Sequence, residues 1–345
     1  MVPALAIADE LRDRGAQVEF LGGERAEAEL VPAAGYRLHP LRVAGLSRTD
    51  PVAAARALGL ALRATGAARR VLRSMRADAV IGGGGYVAGP VGLAARTLRL
   101  PLFLCEADSH LGVTNRLLAP AARRVFLAFP LAGRTGTRYR VTGRPVPRGT
   151  GSTDRRRART RFGLHEGPCL LVFGGSLGAR SLSTAAVEAF GREAPCQVLH
   201  VCGRRDYAGL RARLTELGDP PHYHLEEYVM PFADALAAAD LAAARAGGSV
   251  FELAAAGLPS LLVPYPHATA DHQSSNARWM AEAGAAVVVP DADLDSARLA
   301  SEIAILVAEP DRIERMRVAA RALARPQAAS EIAAEVLSVL DDTRE

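Results

Sequence analysis

The sequence predicts an α/β protein with two doubly wound domains, and three observations support this fold class. Short β-rich runs alternate with Ala-, Leu- and Arg-rich helical patterns along nearly the whole chain, which is typical of parallel sheets covered by helices on both faces. The length of 345 residues is more than one ordinary core needs and fits about two domains. The periodicity is interrupted at residues 145–161 by Gly, Pro, Ser, Thr and clustered arginines. We therefore expect two Rossmann-like domains joined at this interruption, with a cleft between them.

The candidate strands fall into two groups, one on each side of the interruption. In the first half they are residues 17–21, 79–82, 102–105 and 125–128, and in the second half 169–173, 198–202, 241–244, 260–263 and 286–289. The chain opens on a helical pattern at 3–14 and closes on another at 328–340. We expect domains at 1–147 and 148–326, and a helix within 327–345 that packs back toward the first domain.

The composition excludes several classes of protein. All 42 residues of the Lys+Arg count are arginine, whereas P-loop NTPases, Schiff-base enzymes and pyridoxal phosphate enzymes need a lysine amine. The net charge is +5, the aromatic content is 5%, and no nucleic-acid-binding motif is present, so we expect no nucleic-acid partner. The four cysteines form no CxxC pair, which favours free thiols over a zinc site. No signal peptide precedes Asp9, and we expect a location in the cytoplasm.

The first candidate loop lies in residues 170–180, where an apolar strand runs into the letters GGSLG and then into a helix. Glycines allow a ligand to approach the backbone closely, and a helix N-terminus offers free N–H donors to a phosphate. The same letters match the nucleophile elbow of α/β-hydrolases around Ser176, and Asp240 and His267 follow in the order that this enzyme class requires. A phosphate loop, a hydrolase elbow and a purely structural turn therefore stay open.

A second glycine loop, in residues 81–90, repeats the strand–glycine–helix pattern in the first domain. Neither loop reads GxGxxG with an acidic residue about 20 positions later, which disfavours a nicotinamide dehydrogenase. Two such loops, one in each domain, favour a ligand held between two Rossmann-like halves over two unrelated structural turns.

Polar residues cluster in a third region, residues 244–276. Arg245 and a glycine pair precede a helix that carries Glu252. A carboxylate on a helix that begins at a strand's carboxyl end is well placed to accept the hydroxyls of a ribose. The loop after the next strand holds side chains that suit sugar hydroxyls, namely His267, Asp271, His272, Gln273 and Asn276.

The acidic run at Asp291, Asp293 and Asp295 resembles a metal-binding DxD element. We interpret it instead as a helix start, with Asp293 or Asp295 as the cap, because acidic residues suit the first turn of a helix. The sequence therefore predicts no metal site.

Six segments occur in the order seen in the MurG family, and they cover nearly the whole chain. They are IGGGGYVAGP, CEADSHLGVTNRLLA, VTGRPV, LLVFGGSLGAR, RAGG followed by FELAAAGLP, and PHATADHQSSNA. By these motifs the chain resembles the UDP-N-acetylglucosamine:lipid-linked N-acetylmuramyl-pentapeptide transferases of peptidoglycan synthesis. The resemblance implies a GT-B fold, an inverting mechanism that requires no cofactor or metal, and peripheral attachment to the cytoplasmic face of the membrane.

The resemblance also implies a site for UDP-N-acetylglucosamine in the second domain. Its glycine loop would contact the diphosphate, Phe232 and Ala233 would border the uracil, Glu252 would hold the ribose, and Gln273 would hold the sugar hydroxyls. The full set assigned to this site is Gly174, Gly175, Ser176, Gly178, Phe232, Ala233, Arg245, Gly248, Glu252, Asp271, His272, Gln273 and Asn276.

On the acceptor side, the resemblance places the first-domain glycine loop against the diphosphate of an undecaprenyl-linked acceptor. The residues assigned there are Gly83, Gly84, Gly85, Tyr86, Asn115 and Arg144. The family's HEQN motif reads Cys105-Glu106-Ala107-Asp108 in this chain. We therefore predict Glu106 or Asp108 as the catalytic base.

The family opens with a strand and a GGxGGH-like loop, whereas this sequence starts on the helical pattern that follows that loop. We expect the reading frame to extend upstream into such a strand and loop. Two other interpretations stay open, a UDP-sugar transferase with a different lipid acceptor and a non-catalytic chain that binds sugar nucleotides.

Residues 51–77 predict a membrane-binding surface. Arginines at 56, 63, 69, 70, 73 and 76 come with no acidic residue, and apolar residues lie between them at 58, 60, 62, 71, 72 and 75. A basic amphipathic helix of this kind binds anionic headgroups. The alternative is an ordinary surface helix whose apolar stripe packs on the sheet.

Overall fold

A computed structural model describes residues 1–24, 26–43, 51–175 and 178–342, with the side chains of residues 26, 51–58 and 269 outside the description. The chain divides into two compact units. The N-terminal unit comprises Met1–Val146 and Arg325–Glu345, and the C-terminal unit comprises Pro147–Ala324. The final helix therefore belongs to the same unit as the beginning of the chain.

The N-terminal unit alternates helices and parallel strands. Its helices are α1 (Val2–Asp13), α2 (Ala26–Ala33), α3 (Pro51–Ser74), α4 (Gly85–Thr97), α5 (Val113–Leu118) and α14 (Ala328–Asp341). Its strands are β1 (Glu19–Gly22), β2 (Arg37–Pro40), β3 (Val80–Gly82), β4 (Leu102–Glu106), β5 (Arg124–Leu127) and β6 (Tyr139–Val141). Among the described residues, β1 pairs with β2, and β3 to β6 form a four-stranded parallel sheet in sequence order.

Both faces of the four-stranded sheet are buried, because successive side chains of a strand point to opposite faces. Leu104 of β4 packs with Leu72 of α3 and Ala94 of α4 on one face. Phe103 and Phe126 stack on the other face, with ring centroids 6.4 Å apart, and pack there against α1 and α14. This burial explains why β4 and β5 read as continuous apolar runs.

The C-terminal unit contains a second parallel sheet. Its helices are α6 (Arg155–Arg161), α7 (Arg180–Phe190), α8 (Arg204–Glu216), α9 (Phe232–Ala238), α10 (Val250–Ala256), α11 (His272–Glu282), α12 (Ser296–Ala308) and α13 (Pro310–Leu323). Its strands are β7 (Cys169–Phe173), β8 (Gln197–Val201), β9 (Tyr223–Glu226), β10 (Leu241–Ala244), β11 (Ser260–Leu262) and β12 (Ala286–Val288). The six strands of this sheet lie in the order β12-β11-β10-β7-β8-β9.

This strand order is that of a doubly wound fold. The chain moves outward from β7 to β8 and β9, returns to the other side of β7 with β10, and moves outward again to β11 and β12. The direction therefore reverses between β7 and β10, and open parallel sheets bind ligands at the carboxyl ends of the strands at such a switch point.

Every strand that the sequence predicts has a counterpart, and the described residues contain three further strands. The three are β2, β6 and β9, and each lies at one end of its sheet. Their side chains are largely half-buried or exposed, with sequences RLHP, YRV and YHLE. An edge strand needs no continuous apolar run, so these segments carry no strong strand signal.

The apolar stripe predicted for lipid contact on residues 51–77 is partly wrong. Leu72 is buried in the core and Met75 packs against it. Leu62, by contrast, is 63% exposed, and its neighbours Arg63 and Arg70 are exposed as well. One side of the helix thus packs into the core through Leu72 and Met75, whereas Leu62, Arg63 and Arg70 remain exposed. No helix among the described residues is long and apolar enough to cross a membrane.

Candidate functional site

In the C-terminal unit, two glycine-containing segments leave neighbouring strands at the switch point. Phe173 ends β7 and Ala244 ends β10, and the two residues pair in the parallel register. Gly174 and Gly175 follow the first strand, and the segment from Arg245 to Gly248 follows the second. The chain order and the register therefore bring the two predicted nucleotide-binding segments to one edge of the sheet.

The loop after β7 is built so closely that it requires glycine. A Cβ on Gly174 would lie 2.4 Å from the backbone nitrogen of Ala179. Gly178 has a φ of +75°, and a Cβ there would lie 2.6 Å from the carbonyl oxygen of Cys202. Ser176, the predicted diphosphate contact, lies outside the described residues. Helix α7 begins at Arg180 directly after this loop, and the N–H groups of its first turn have no acceptor within the helix.

The hydrolase interpretation of the same loop is wrong. Asp240 precedes β10, and its backbone nitrogen bonds the carbonyl of Cys169, the first residue of β7, at 2.8 Å. Its carboxylate pairs with Arg155 and accepts from the backbone nitrogen of Cys169. Asp240 thus lies at the amino ends of the strands, whereas the glycine loop leaves from their carboxyl ends. The aspartate that the triad requires therefore lies at the opposite end of the strands from Gly174 and Gly175.

An aromatic contact and a short helix border the switch point. Phe232 begins α9, and its ring packs edge-to-face on Phe173 with centroids 4.9 Å apart. Ala233 is buried beside it. Glu252 lies in the first turn of α10, half-buried, and Gly248 precedes that helix by two residues. The predicted uracil and ribose contacts therefore belong to helices that start at the same sheet edge.

The amides predicted for the sugar also tie neighbouring loops together. The backbone nitrogen of Tyr265 donates to Oε1 of Gln273 at 2.9 Å. Asn276 is buried, and its Nδ2 donates to the carbonyl of Ala246 at 3.0 Å. Asn276 therefore holds the segment after β10, while the Nε2 group of Gln273 lies 3.9 Å from where a Cβ on Gly247 would stand.

Asp271 and His272 begin α11. Asp271 has a φ of 53° in the left-handed region, and its Oδ1 accepts a hydrogen bond from Ser274 at 2.6 Å. His272 is half-buried. Asp271 therefore shapes the entry to the helix, and its interactions do not by themselves identify it as a ligand.

Arg245, predicted as a contact of the nucleotide-sugar, is buried and bonded to protein groups. Its guanidinium lies 2.6 Å from Oδ1 of Asp291 and donates to Oγ of Ser181 at 2.7 Å. Sequence reasoning missed both partners, since both are distant from Arg245 in the chain and no local pattern links them to it. Asp295 does cap α12, as the sequence predicts, because its side chain accepts from the backbone nitrogen of Arg298 at 2.7 Å. Among the described residues, no three His, Cys, Asp or Glu side chains converge as metal ligands.

In the N-terminal unit, the predicted acceptor loop forms the start of α4. Gly84 is the N-cap with a φ of 81°, and Gly85 follows with a φ of 76°. A Cβ on Gly83 would meet nothing within 4 Å. Tyr86 is 64% exposed. The loop thus presents open backbone and one exposed ring at the carboxyl end of β3.

Glu106 ends the neighbouring strand β4, and its carboxylate is enclosed by donors. Oε1 accepts from the backbone nitrogen of Asp108 at 3.2 Å, and Oε2 accepts from the backbone nitrogen of Gly112 and from Nδ2 of Asn115, both at 2.9 Å. Asn115 is buried, and its Nδ2 lies 3.6 Å from where a Cβ on Gly84 would stand. Glu106 therefore fixes the loop 107–112 and holds Asn115 under the N-cap of α4.

The other predicted base has a different environment. Asp108 is half-buried, and within the described part of the chain no donor is bonded to its carboxylate. His110, which sequence reasoning did not select, lies on the same loop and is also half-buried. Arg144 follows β6 and is half-buried, next to Gly143, whose backbone packs against Arg325. The structure thus separates Glu106 from Asp108 in exposure and bonding.

Comparison with solved structures identifies the class of protein. Acinetobacter baumannii MurG has a TM-score of 0.74 to this chain, is 30% identical, and is matched over 97% of this chain and 95% of its own. The calicheamicin glycosyltransferase has the same fold at a TM-score of 0.68 and 19% identity. The two parallel-sheet units and these matches define a GT-B glycosyltransferase.

Sequence comparison gives the family. The model of the glycosyltransferase family 28 N-terminal domain matches residues 1–127, and that of the C-terminal domain matches residues 169–332. The chain belongs to glycosyltransferase family 28. Two relatives carry the name UDP-N-acetylglucosamine–N-acetylmuramyl-(pentapeptide) pyrophosphoryl-undecaprenol N-acetylglucosamine transferase. The relative from Rubrobacter xylanophilus is 40% identical over 96% of this chain and 98% of its own length. The relative from Moorella thermoacetica is 42% identical over 98% of this chain and 95% of its own length.

Proposed function

We propose that the protein is an inverting glycosyltransferase that moves N-acetylglucosamine from UDP-N-acetylglucosamine to an undecaprenyl-linked N-acetylmuramyl-pentapeptide. The observation that carries the proposal is the meeting of two glycine segments, Phe232 and Glu252 at the switch point of the C-terminal sheet. About 40% identity over nearly the full length to transferases of that name supports the donor and the acceptor.

The donor half of the reaction needs stabilisation of the departing UDP. The N–H groups of the first turn of α7 have no acceptor within the helix, and this turn follows the loop that leaves β7 at the switch point. Such donors stabilise a diphosphate leaving group without a metal. We assign Phe232 and Ala233 to the uracil, Glu252 to the ribose and Gln273 to the sugar hydroxyls.

The acceptor half needs a base and a site for the acceptor's diphosphate. We assign the N-terminal turn of α4, from Gly83 to Tyr86, to that diphosphate. We assign the base to Asp108, since both oxygens of Glu106 already accept hydrogen bonds. Asp108 would take the proton of the acceptor hydroxyl, whose oxygen attacks the anomeric carbon as UDP leaves from the opposite face.

A lipid-linked acceptor requires the enzyme to work at a membrane surface. We assign the contact with the cytoplasmic face of the membrane to helix α3. Leu62, Arg63, Arg70 and Arg73 of α3 are all exposed. Each arginine near anionic headgroups contributes about 1 kcal/mol. Arg56 belongs to the predicted surface, but its side chain lies outside the described residues.

The transfer reaction is tested with purified protein, UDP-[¹⁴C]N-acetylglucosamine and a short-chain lipid-linked N-acetylmuramyl-pentapeptide. We expect a labelled disaccharide lipid and release of UDP.

Glu252→Ala should weaken UDP binding by about 1.5–3 kcal/mol in calorimetry, as for hydrogen bonds to a charged group. Glu216→Ala, which removes an exposed carboxylate of α8, is the control. UDP bound without transfer to this acceptor would contradict the acceptor assignment, and UDP affinity unchanged in Glu252→Ala would remove that residue from the site.

The membrane contact is tested by co-sedimentation with vesicles of anionic or neutral lipid at low and high salt. We expect binding to anionic vesicles that weakens with salt, because exposed charges are screened. A variant with Arg63, Arg70 and Arg73 changed to Ser should bind less. The matched control changes Arg205, Arg211 and Arg213 to Ser, which removes three exposed arginines from α8. Equal binding to both lipids would contradict the assignment.

A further inference from the structure

Three polar side chains form a continuous network at the carboxyl edge of the C-terminal sheet. Nη2 of Arg245 donates to Oγ of Ser181 at 2.7 Å, and that hydroxyl donates to Oδ1 of Asp291 at 2.8 Å. Nη1 of Arg245 lies 2.6 Å from the same carboxylate oxygen. The three groups therefore close a ring, in which the hydroxyl of Ser181 accepts from the cation and donates to the anion.

The protein fixes the direction in which Arg245 points. Its Nη1 also donates to the carbonyls of Val263 at 3.2 Å and Pro264 at 3.3 Å. The guanidinium carbon lies 5.6 Å from the centroid of the Tyr265 ring. Arg245 is only 8% exposed. Both Nη groups are therefore turned toward protein acceptors.

The charges of the network balance within it. An arginine this deeply buried needs a partner, since an isolated buried charge is strongly unfavourable. Asp291 supplies that partner from the 3₁₀ turn Asp291–Asp293 after β12. A second anion such as a phosphate would have to compete with a carboxylate already 2.6 Å away.

The network acts on the helix that faces the switch point. Ser181 is the second residue of α7, in the turn whose N–H groups are not bonded within the helix. Arg245 follows β10 and Asp291 follows β12. The ring therefore ties the first turn of α7 to the ends of two strands on the far side of the switch point.

We propose that Ser181, Arg245 and Asp291 are positioning residues that orient the N-terminal turn of α7 toward the diphosphate of the sugar nucleotide. Arg245 then acts through Ser181 and Asp291 and does not itself bind the phosphates. The inference rests on the proposed function, because the diphosphate is the ligand of that site.

The two roles of Arg245 predict opposite results for Asp291→Asn, which keeps the shape and removes the charge. If Arg245 positions α7, the loss of its partner loosens the first turn, and UDP binds at least about tenfold more weakly. If Arg245 is a phosphate ligand held back by Asp291, the variant releases it and UDP binds more tightly. Uridine lacks the diphosphate, so its affinity should change by less than about twofold in the positioning case.

The experiment compares the dissociation constants of UDP and uridine, by calorimetry and by ligand-observed NMR, in the full chain. Asp291→Asn, Ser181→Ala and the conservative Ser181→Thr are measured beside Asp293→Asn, an exposed carboxylate of the same 3₁₀ turn. We expect the ratio of uridine to UDP dissociation constants to fall about tenfold in Asp291→Asn and about threefold in Ser181→Ala. It should stay unchanged in Asp293→Asn and recover in Ser181→Thr.

Each outcome decides the inference. Ser181→Ala keeps the buried ion pair, so it provides the test if Asp291→Asn does not fold. An unchanged ratio in both variants, tighter UDP binding in Asp291→Asn, or equal losses for UDP and uridine would overturn the positioning role while leaving the proposed function intact. Wild-type protein that binds no UDP would overturn the proposed function and this inference together.

Discussion

The N-terminal turns of α4 and α7 occupy equivalent places in their units but are supported by different chemistry. Each follows a parallel strand through a glycine turn. The turn of α7 is held by the ionic ring of Ser181, Arg245 and Asp291. The turn of α4 is backed by Asn115, whose amide is held by the carboxylate of Glu106.

The difference lies in how a buried charge is balanced. The charge on Arg245 faces a carboxylate, whereas that of Glu106 faces only N–H donors, and no cation among the described residues lies within salt-bridge distance of it. Several N–H donors can stabilise a carboxylate as a counter-ion does. The comparison teaches that one fold can hold the start of a helix either by a side-chain ion pair or by loop N–H groups. Substitutions at the two helix starts should therefore have different effects.

The largest effect is expected at Glu106. Glu106→Ala leaves the donors of Asp108, Gly112 and Asn115 without their acceptor, which should cost the N-terminal unit about 3–5 kcal/mol. Asp108→Asn should stay within about 0.5 kcal/mol in stability and lower kcat instead. Amide hydrogen exchange of α4 and α5 measures the stability. Wild-type protection in Glu106→Ala would refute this account of the loop.

Matched glycine substitutions should separate the two turns further. Gly178→Ala combines a positive φ with a Cβ only 2.6 Å from a backbone carbonyl, whereas a Cβ on Gly84 meets nothing closer than 3.6 Å at its own positive φ. We expect Gly84→Ala to lower the free energy of unfolding by about 1–2 kcal/mol through backbone strain alone. Gly178→Ala should lower it by more. Urea unfolding of the two variants gives the order, and a reversed order would contradict it.

Acid should weaken the C-terminal unit through a residue that contacts α7. His200 is fully buried between Tyr223 and Ser183 of α7, and burial lowers its pKa to about 3. The unfolded chain binds a proton below about pH 6.5 while the folded chain does not, so stability falls from there down to about pH 3. Between pH 7 and 5 this amounts to about 2 kcal/mol.

The chain has a single tryptophan, Trp279 of α11, so its fluorescence during urea unfolding reports on the C-terminal unit. We expect His200→Gln to remove most of this pH slope at the cost of stability at pH 7. His165→Gln, an exposed histidine of the same unit, should keep the wild-type slope. A slope equal to wild type in His200→Gln would assign the acid sensitivity to other groups.

The smallest effect is expected at the contact between α5 and α4. The hydroxyl of Thr114 donates to the carbonyl of Gly85 at 3.1 Å in an exposed position. Thr114→Val should therefore cost about 0.5–1 kcal/mol. Circular dichroism at increasing temperature measures the difference, with Thr184→Val, at an exposed threonine of α7, as a surface control.

Local patterns were sufficient for much of the fold. The runs at β4 and β7 are apolar because both faces of a central strand are covered, so residues 102–105 and 169–173 could be recognised without neighbours. The edge strands β2, β6 and β9 could not, because most of their side chains are only half-buried or exposed and so form no continuous apolar run. The glycine loops were recognisable since turns at strand ends require this residue.

The sequence suggested residues for the candidate site but not the bonds that those residues make. Glu106 was selected as an acidic group of the predicted acceptor side, whereas its three hydrogen-bond donors in the loop and helix that follow were not foreseen. Asp295 caps α12 as predicted, but the pairing of Asp291 with Arg245 was not foreseen. Asp240 follows the glycine loop in the chain order that a triad requires, but it lies at the opposite end of the sheet from that loop.

By itself the sequence determined the α/β class, the two-part division, the glycine turns and the family, because these depend on short-range periodicity and on motifs in order. Tertiary structure alone decided which charges meet. Arg124 and Glu335 pair across 211 residues, and Arg245 after β10 pairs with Asp291 after β12. The reason is that strand order, which no local pattern encodes, decides which loops share an edge of the sheet, and a side chain's role follows from that neighbourhood.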